Sequence, residues 1–200
     1  MNFLDTVISG KMKEIRNRKA ALNVYDMERH TQTEFERKSL IESIKGAKKK
    51  GRRAIIGEAK QKSPSLGFIN ETDVCDAALQ IEKGGACGVS ILTDKNFGGR
   101  IDDLERVKKR INLPVLRKDF IIDEFQVHES CAHGADAVLL ISTILKDKTV
   151  DFARLARKLG MEALVEVYGK EDLDHALNSD AKLIAVNNRD LRTQKVLIVN

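Results

Sequence analysis

Apolar residues fall along this chain in two rhythms. Over the first 50 residues they recur at helical spacing: Leu4, Val7, Ile8, Met12 and Ile15 in one stretch, then Leu40, Ile41 and Ile44 in a second from about Glu34 to Lys48. No strand pattern precedes Ala54, so residues 1–50 are expected to form an N-terminal helical extension. From Ala54 the rhythm becomes short apolar run, loop, amphipathic stretch, repeated. Strands are expected near 54–59, 87–93, 113–118, 136–142, 162–167 and 182–187, with helices over about 71–84, 100–110, 123–133, 146–159 and 170–178. Thr72 or Asp73 is placed to cap the first of these helices, Gly84-Gly85 to end it, and Gly134 and Gly160 to close later ones. The strand repeat of roughly 22 to 33 residues is the length of one βα unit.

Two of the apolar runs, 88–92 and 135–141, are too apolar for a strand with one wet face. They need cover on both sides, which helices around a parallel sheet supply, so the fold class is α/β. An open nucleotide-binding sheet usually carries a glycine-rich turn after its first strand; here that turn, residues 60–67, lacks the GxGxxG spacing. A closed barrel of the (β/α)8 TIM type fits better. Six of its eight βα units are visible, in a single domain: the extension at 1–50 and a partial barrel at 51–200.

Several of these strands end in a charge or an amide: Glu58-Ala59-Lys60, Arg117-Lys118, Glu166 and Asn187. Unpaired charge is costly inside a protein, so such tips imply an opening onto water or a ligand at one end of the barrel. Glu58 and Lys60 lie two apart and point the same way. They read either as a base with an anion clamp or as a structural ion pair. Lys118 reads as an acid, if a dry site lowers its pKa, or as a solvated loop lysine. Glu166, between Val165 and Val167, needs a partner or a function. Asn187-Asn188-Arg189-Asp190 suits carboxylate or sugar-hydroxyl recognition, or a turn in which Asn and Asp bond their own backbone. Ser63, Ser65 and Gly67 form either an anion-binding loop or a simple Pro-containing turn.

Composition narrows the choice. The chain has 200 residues, 42% hydrophobic and 32% charged, with no apolar stretch approaching a membrane span and no secretion signal in its first residues. Cys75, Cys87 and Cys131 are unpaired in spacing and fit thiols in a reducing cytoplasm. The net charge of +5 is concentrated in residues 45–53, KGAKKKGRR. That cluster reads as a polyanion patch or as a solvated helix end; with 4% aromatics and no Trp there is little to stack bases on, and the helix end is preferred. His30, His128, His133 and His175 show no metal-ligand spacing, so no metal is expected, and neither a P-loop nor a Gly-x-Ser-x-Gly elbow is present.

Taken together, the segments 58–60 with 63–65, 90–94 with 97–99, 114–123, 134–141, 164–167 and 187–191 resemble, in order, the indole-3-glycerol phosphate synthase family of tryptophan biosynthesis. The resemblance runs from about residue 1 to 196. It implies a (β/α)8 barrel that converts 1-(2-carboxyphenylamino)-1-deoxyribulose 5-phosphate to indole-3-glycerol phosphate, carbon dioxide and water, with no metal or organic cofactor. It also implies roles. Lys118 would protonate the substrate carbonyl, Glu166 would serve in the dehydration, and Lys60 would be a second acid that contacts the substrate's anionic groups. Glu58 would stabilise positive charge, Asn187 and Arg189 would orient the substrate, Phe97 and Phe120 would wall the aromatic ring, and Ser63 would lie close by. The family continues for two further βα units, with a Glu-Ser pair and glycine-rich turns that hold much of the phosphate. Relative to it this sequence reads as truncated at the C-terminal end, with the first and sixth strands left as edges.

The expected partner is a small anionic sugar phosphate, with no nucleic acid and no membrane, and with self-association through the open barrel edge as a further expectation. The other readings are a non-catalytic fragment or scaffold of the same fold, a polyanion-binding protein, and another sugar-phosphate barrel such as phosphoribosylanthranilate isomerase. The set of Glu58, Lys60, Lys118, Glu166 and Asn187 argues against the last.

Overall fold

The computed structural model describes residues 3–21, 35–60, 62–63, 67–68, 72–193 and 195–196. Six parallel strands form its main sheet: β1 (Ile56–Ala59), β2 (Gly88–Leu92), β3 (Val115–Lys118), β4 (Ala137–Ile141), β5 (Glu162–Val167) and β6 (Leu183–Val186). Each pairs in parallel with the next in sequence, giving the order β1-β2-β3-β4-β5-β6. The connecting helices are α3 (Val74–Lys83), α4 (Asp102–Lys108), α5 (Glu124–Ala132), α6 (Ser142–Leu145), α7 (Thr149–Lys158) and α8 (Lys170–Asn178); α1 (Phe3–Ala21) and α2 (Leu40–Lys49) precede them. The sheet curls into a partial (β/α)8 barrel.

The strands have two faces because side chains alternate across the pleat. Val89, Ile91, Val115, Val138, Leu140, Val165 and Val167 point outward into the main core, against Ala78, Leu104, Val127 and Phe152 of the helices. Leu116, Ala137, Leu164 and Leu183 point inward, into the lumen. β2 and β4 are buried along their whole length, as their apolar runs require.

The lower end of the lumen is plugged by α2. Leu40 is fully buried against Leu116 and Ala137, and a Cβ at Gly88 would stand 2.6 Å from its Cδ1, so a side chain at this strand position would have to push Leu40 aside. Ser39 caps α2, accepting from the Glu42 amide at 3.0 Å and donating to Glu162 at the start of β5 at 2.5 Å. This cap corrects the expected helix start. Residues 35–39 are not helical because they are tied to the barrel: Arg37 donates to the carbonyls of Ala135 and Cys131, and the Lys38 amide donates to Asp136.

A second correction concerns α1. Leu4, Val7 and Ile15 are buried, but Met12 is 56% exposed and its neighbour Lys11 takes the inner position. The turn after β1 also differs from a plain loop, since Lys62–Ser63 and Gly67–Phe68 pair as a short antiparallel ladder. Ser65 and His30 lie outside the described residues, as does most of the apolar C-terminal run. Asp73 caps α3, and Gly134 and Gly160 follow helices with φ of +82° and +77°. Among the described residues, no helix is long and apolar enough to cross a membrane.

Candidate active site

The charged strand tips converge at the upper rim. Glu58 is an inward position of β1, and Lys60 follows just beyond the strand. The Lys60 ammonium lies 3.0 Å from Glu58 Oε1, and Lys118, the last residue of β3, reaches Glu58 Oε2 at 2.8 Å across the intervening β2. Burial alone would raise the Glu58 carboxyl; the two ammonium groups outweigh it and hold the group below the usual carboxylate range. Lys118 does not sit in a dry site, contrary to one expectation. Its side chain is 39% exposed and paired with a carboxylate.

Across the lumen, Glu166 accepts a hydrogen bond from Asn187 Nδ2 at 2.9 Å. This is the partner that an acid in an apolar strand requires. Asn187 serves twice, because its Oδ1 accepts from the Arg189 amide at 3.0 Å and shapes the turn after β6. The recognition and turn readings of this segment are therefore compatible. Arg189 is exposed and is not drawn into either cluster.

Between the two polar clusters stands β4, which presents Leu139 and Ile141. They join Phe120, Leu4 and Val7 in one buried cluster, with Phe97 and Leu164 packed against it. The Phe97 and Phe120 rings lie 6.4 Å apart, tilted by 32°. With strands spaced about 4.8 Å, β3 and β5 lie roughly 10 Å apart, and the apolar side chains of β4 stand between their polar tips. Leu4 and Val7 of α1 cover this apolar floor, which has an ammonium pair on one side and a carboxylate–amide pair on the other. Ser63 is placed by its ladder with Gly67, beside the 3-10 turn Lys95–Phe97.

A sequence model of the indole-3-glycerol phosphate synthase family matches residues 4–200, nearly the whole chain. The chain belongs to the indole-3-glycerol phosphate synthase family. Among the relatives it resembles, the indole-3-glycerol phosphate synthase of Caldanaerobacter subterraneus is 41% identical over 97% of this chain and 74% of that protein. The corresponding protein of Syntrophobacter fumaroxidans is 40% identical over 96% and 73%. That of Desulfosudis oleivorans is 45% identical over a shorter stretch, 80% of this chain and 62% of its own. A crystal structure of a mandelate oxidase variant with 2-hydroxy-phenylacetamide superposes with a TM-score of 0.50, covering 72% of this chain and 51% of that one. At 14% identity this is a likeness of fold alone. Membership of the synthase family makes the chain a ring-closing, decarboxylating carbon–carbon lyase of tryptophan biosynthesis. The isomerase and scaffold readings are not favoured.

The site holds one arrangement that the strand-tip pattern does not show. Lys11, from α1, is 3% exposed and lies 2.7 Å from Asp94 Oδ2 and 2.9 Å from Asp119 Oδ1, at the ends of β2 and β3. Asp119 also accepts from Thr93 Oγ1 at 2.6 Å and from Arg117 at 2.9 Å. Arg117 is fully buried on the outer face of β3, where it donates to Glu129, Ser130 and the Gln126 carbonyl. Burial would raise the Asp119 carboxyl, but Arg117 and Lys11 hold it well below the usual range. The sequence signal was an Arg and an Asp flanking Lys118 in an apolar run. Its partner on α1 has no local signature. Among the described residues, no three His, Cys, Asp or Glu side chains group as metal ligands.

Proposed function

We propose that the rim of Glu58, Lys60, Lys118, Glu166 and Asn187 carries the family's ring closure, with Lys118 as the acid of the first step. The observation that carries this reading is Glu58 bridging both lysines at 3.0 and 2.8 Å, with Phe120, two residues beyond Lys118, set against Phe97. The aromatic amine enters between the lysine pair and Glu166. The ring carbon that bears the carboxylate attacks the ketone carbon, and the carbonyl electron pair takes a proton from Lys118 to become a hydroxyl. The bond to the carboxylate then breaks, carbon dioxide leaves, and its electrons restore the ring. In the last step the hydroxyl departs as water with a proton from Lys118 or Lys60. Glu166 takes a proton from the neighbouring methylene carbon, which forms the indole double bond.

Each residue type suits its task. An acid is needed at the ketone oxygen, and dehydration needs an acid and a base on opposite faces. β3 and β5 supply that opposition. Glu58, held ionised between two lysines, stabilises the positive charge that develops on nitrogen when the ring is attacked. Phe97 and Phe120 wall the ring, Ser63 lies close to the substrate, and Asn187 holds Glu166 while Arg189 orients the anionic end. No metal or cofactor takes part.

The partner is then a small sugar phosphate in the cytoplasm rather than a nucleic acid. The 45–53 cluster is a largely exposed helix end whose cations offset the helix dipole. The assay is formation of indole-3-glycerol phosphate by the purified chain and by Lys118→Met. Loss of an acid typically costs about 10²- to 10⁴-fold in rate, so the variant is expected to fall by that much. Turnover surviving in Lys118→Met would overturn the assignment.

A further inference from the structure

The two loops that carry the reacting acid and the aromatic wall meet at a single buried ammonium from outside the barrel. Asp94 precedes the 3-10 turn that ends in Phe97, and its Oδ1 accepts from the Asn96 amide at 2.8 Å. Asp119 stands between Lys118 and Phe120, and its Oδ1 accepts from the Phe120 amide at 2.8 Å. Each carboxylate thus sets the backbone of its own loop, and each offers an oxygen to Lys11. On the same face of α1, Leu4 and Val7 pack in the cluster of Phe120, Leu139 and Ile141. Further along, Arg18 pairs with Glu129, and Lys19 lies 2.8 Å from Asp123 at the cap of α5.

We propose that Lys11 is a positioning residue for the reaction: by drawing Asp94 and Asp119 together it fixes Lys118 and the Phe97–Phe120 wall relative to one another. The inference rests on the reading of Lys118 given above. A buried cation between two carboxylates also holds α1 down, and a purely structural role would stop there. The geometry goes further because neither carboxylate is a bystander. Both are bonded to the backbone that aims a side chain of the site. A shift of about 1 Å in a reacting group lowers rate by roughly 10²-fold, so a clamp on the Lys118 loop is felt in catalysis. Burial would lower the Lys11 ammonium, but the two carboxylates prevail and keep it raised above its ordinary value, so the clamp stays charged across the working range.

The test compares Lys11→Met, Lys11→Arg and the charge-balanced pair Lys11→Met/Asp94→Asn with the parent chain and Lys118→Met. Turnover is measured at a temperature where circular dichroism shows each variant folded. For Lys11→Met we expect kcat to fall by about tenfold or more with a smaller change in KM, and Lys11→Arg to recover most of the loss. The double variant is expected to regain stability but not kcat. A structural role alone gives normal kcat in the folded fraction, and that result in either Met variant would overturn the inference. If Lys118→Met retains turnover, it is the site reading that fails.

A binding measurement covers the case of a chain that does not turn over. The sequence has no Trp, so the fluorescence of an N-alkylated anthranilate is read without indole emission. Its affinity is expected to drop by about fivefold or more in the folded Met variants, because the aromatic wall loses its anchor. Unchanged affinity there would count against the clamp.

Discussion

A carboxylate that accepts from two ammonium groups stays ionised, and this decides how the residues of the rim divide their work. Glu58 cannot serve as an acid; it is an anchor for Lys60 and Lys118 and a negative charge beside the apolar floor. Glu58→Gln is expected to keep the fold and lose about 10²-fold or more in kcat, read in the same assay, because a neutral amide neither stabilises a cationic intermediate nor holds two lysines. Asp119 makes a prediction about stability. Its folded carboxyl is held well below the unfolded value of about 3.9, so its contribution is fully present above roughly pH 4 and is lost as pH falls toward the folded value. Asp119→Asn takes one carboxylate from Lys11 and Arg117, which keep Asp94 and Glu129 as partners, and should cost about 1–3 kcal/mol at neutral pH. Urea melts at pH 7 and near pH 3 should show that gap narrowing in acid; a gap of constant size would mean that Asp119 is not the titrating partner.

At the scale of elements, the barrel is fastened from both ends by the extension. α2 closes the bottom through Leu40 and the Ser39–Glu162 bond, and α1 lies over the rim through Lys11. Ser39→Ala removes an N-cap and a bond to β5 together, and should lower stability by about 1–2 kcal/mol. For a chain of this size that is about 2–4 °C in Tm for each kcal/mol, read by calorimetry. Local rules made the six strands legible, because runs such as residues 137–141 carry their burial in composition, and a Glu or Lys at the end of such a run marks the open end of a lumen. They failed where partners are distant in sequence. Lys11 sits 83 and 108 positions from Asp94 and Asp119, and nothing in its neighbourhood separates it from the exposed Met12. The start of α2 is hidden for a similar reason: residues 35–38 have helix-compatible side chains, but Arg37 and Lys38 are committed to Ala135, Cys131 and Asp136. Glu166 and Asn187 were found as separate tips, and only the register of β5 with β6 makes them a pair.

For the molecule as a whole, the sheet has two sides that pair with nothing among the described residues, the outer edges of β1 and β6. Strand edges of this kind recruit other strands. The β6 edge is also apolar on its outer face: Ile184 and Val186 are 37% and 81% exposed, alternating with lumen-facing Leu183 and Ala185, and Leu173 and Leu177 of α8 are exposed as well. In β5 the equivalent outward positions, Val165 and Val167, are buried under helices, so the same strand chemistry is covered in one place and bare in the next. The 200-residue chain, expressed by itself, is therefore expected to associate through this side. Size-exclusion chromatography over a range of loading concentrations should show elution moving to larger size as concentration rises. Ile184→Lys with Val186→Lys places charge on the outer face of the edge, where neither side chain contributes to the lumen, and should return the chain to the monomer with its helicity intact. Parent and variant eluting identically as monomers at every concentration would show that the edge is not a docking surface.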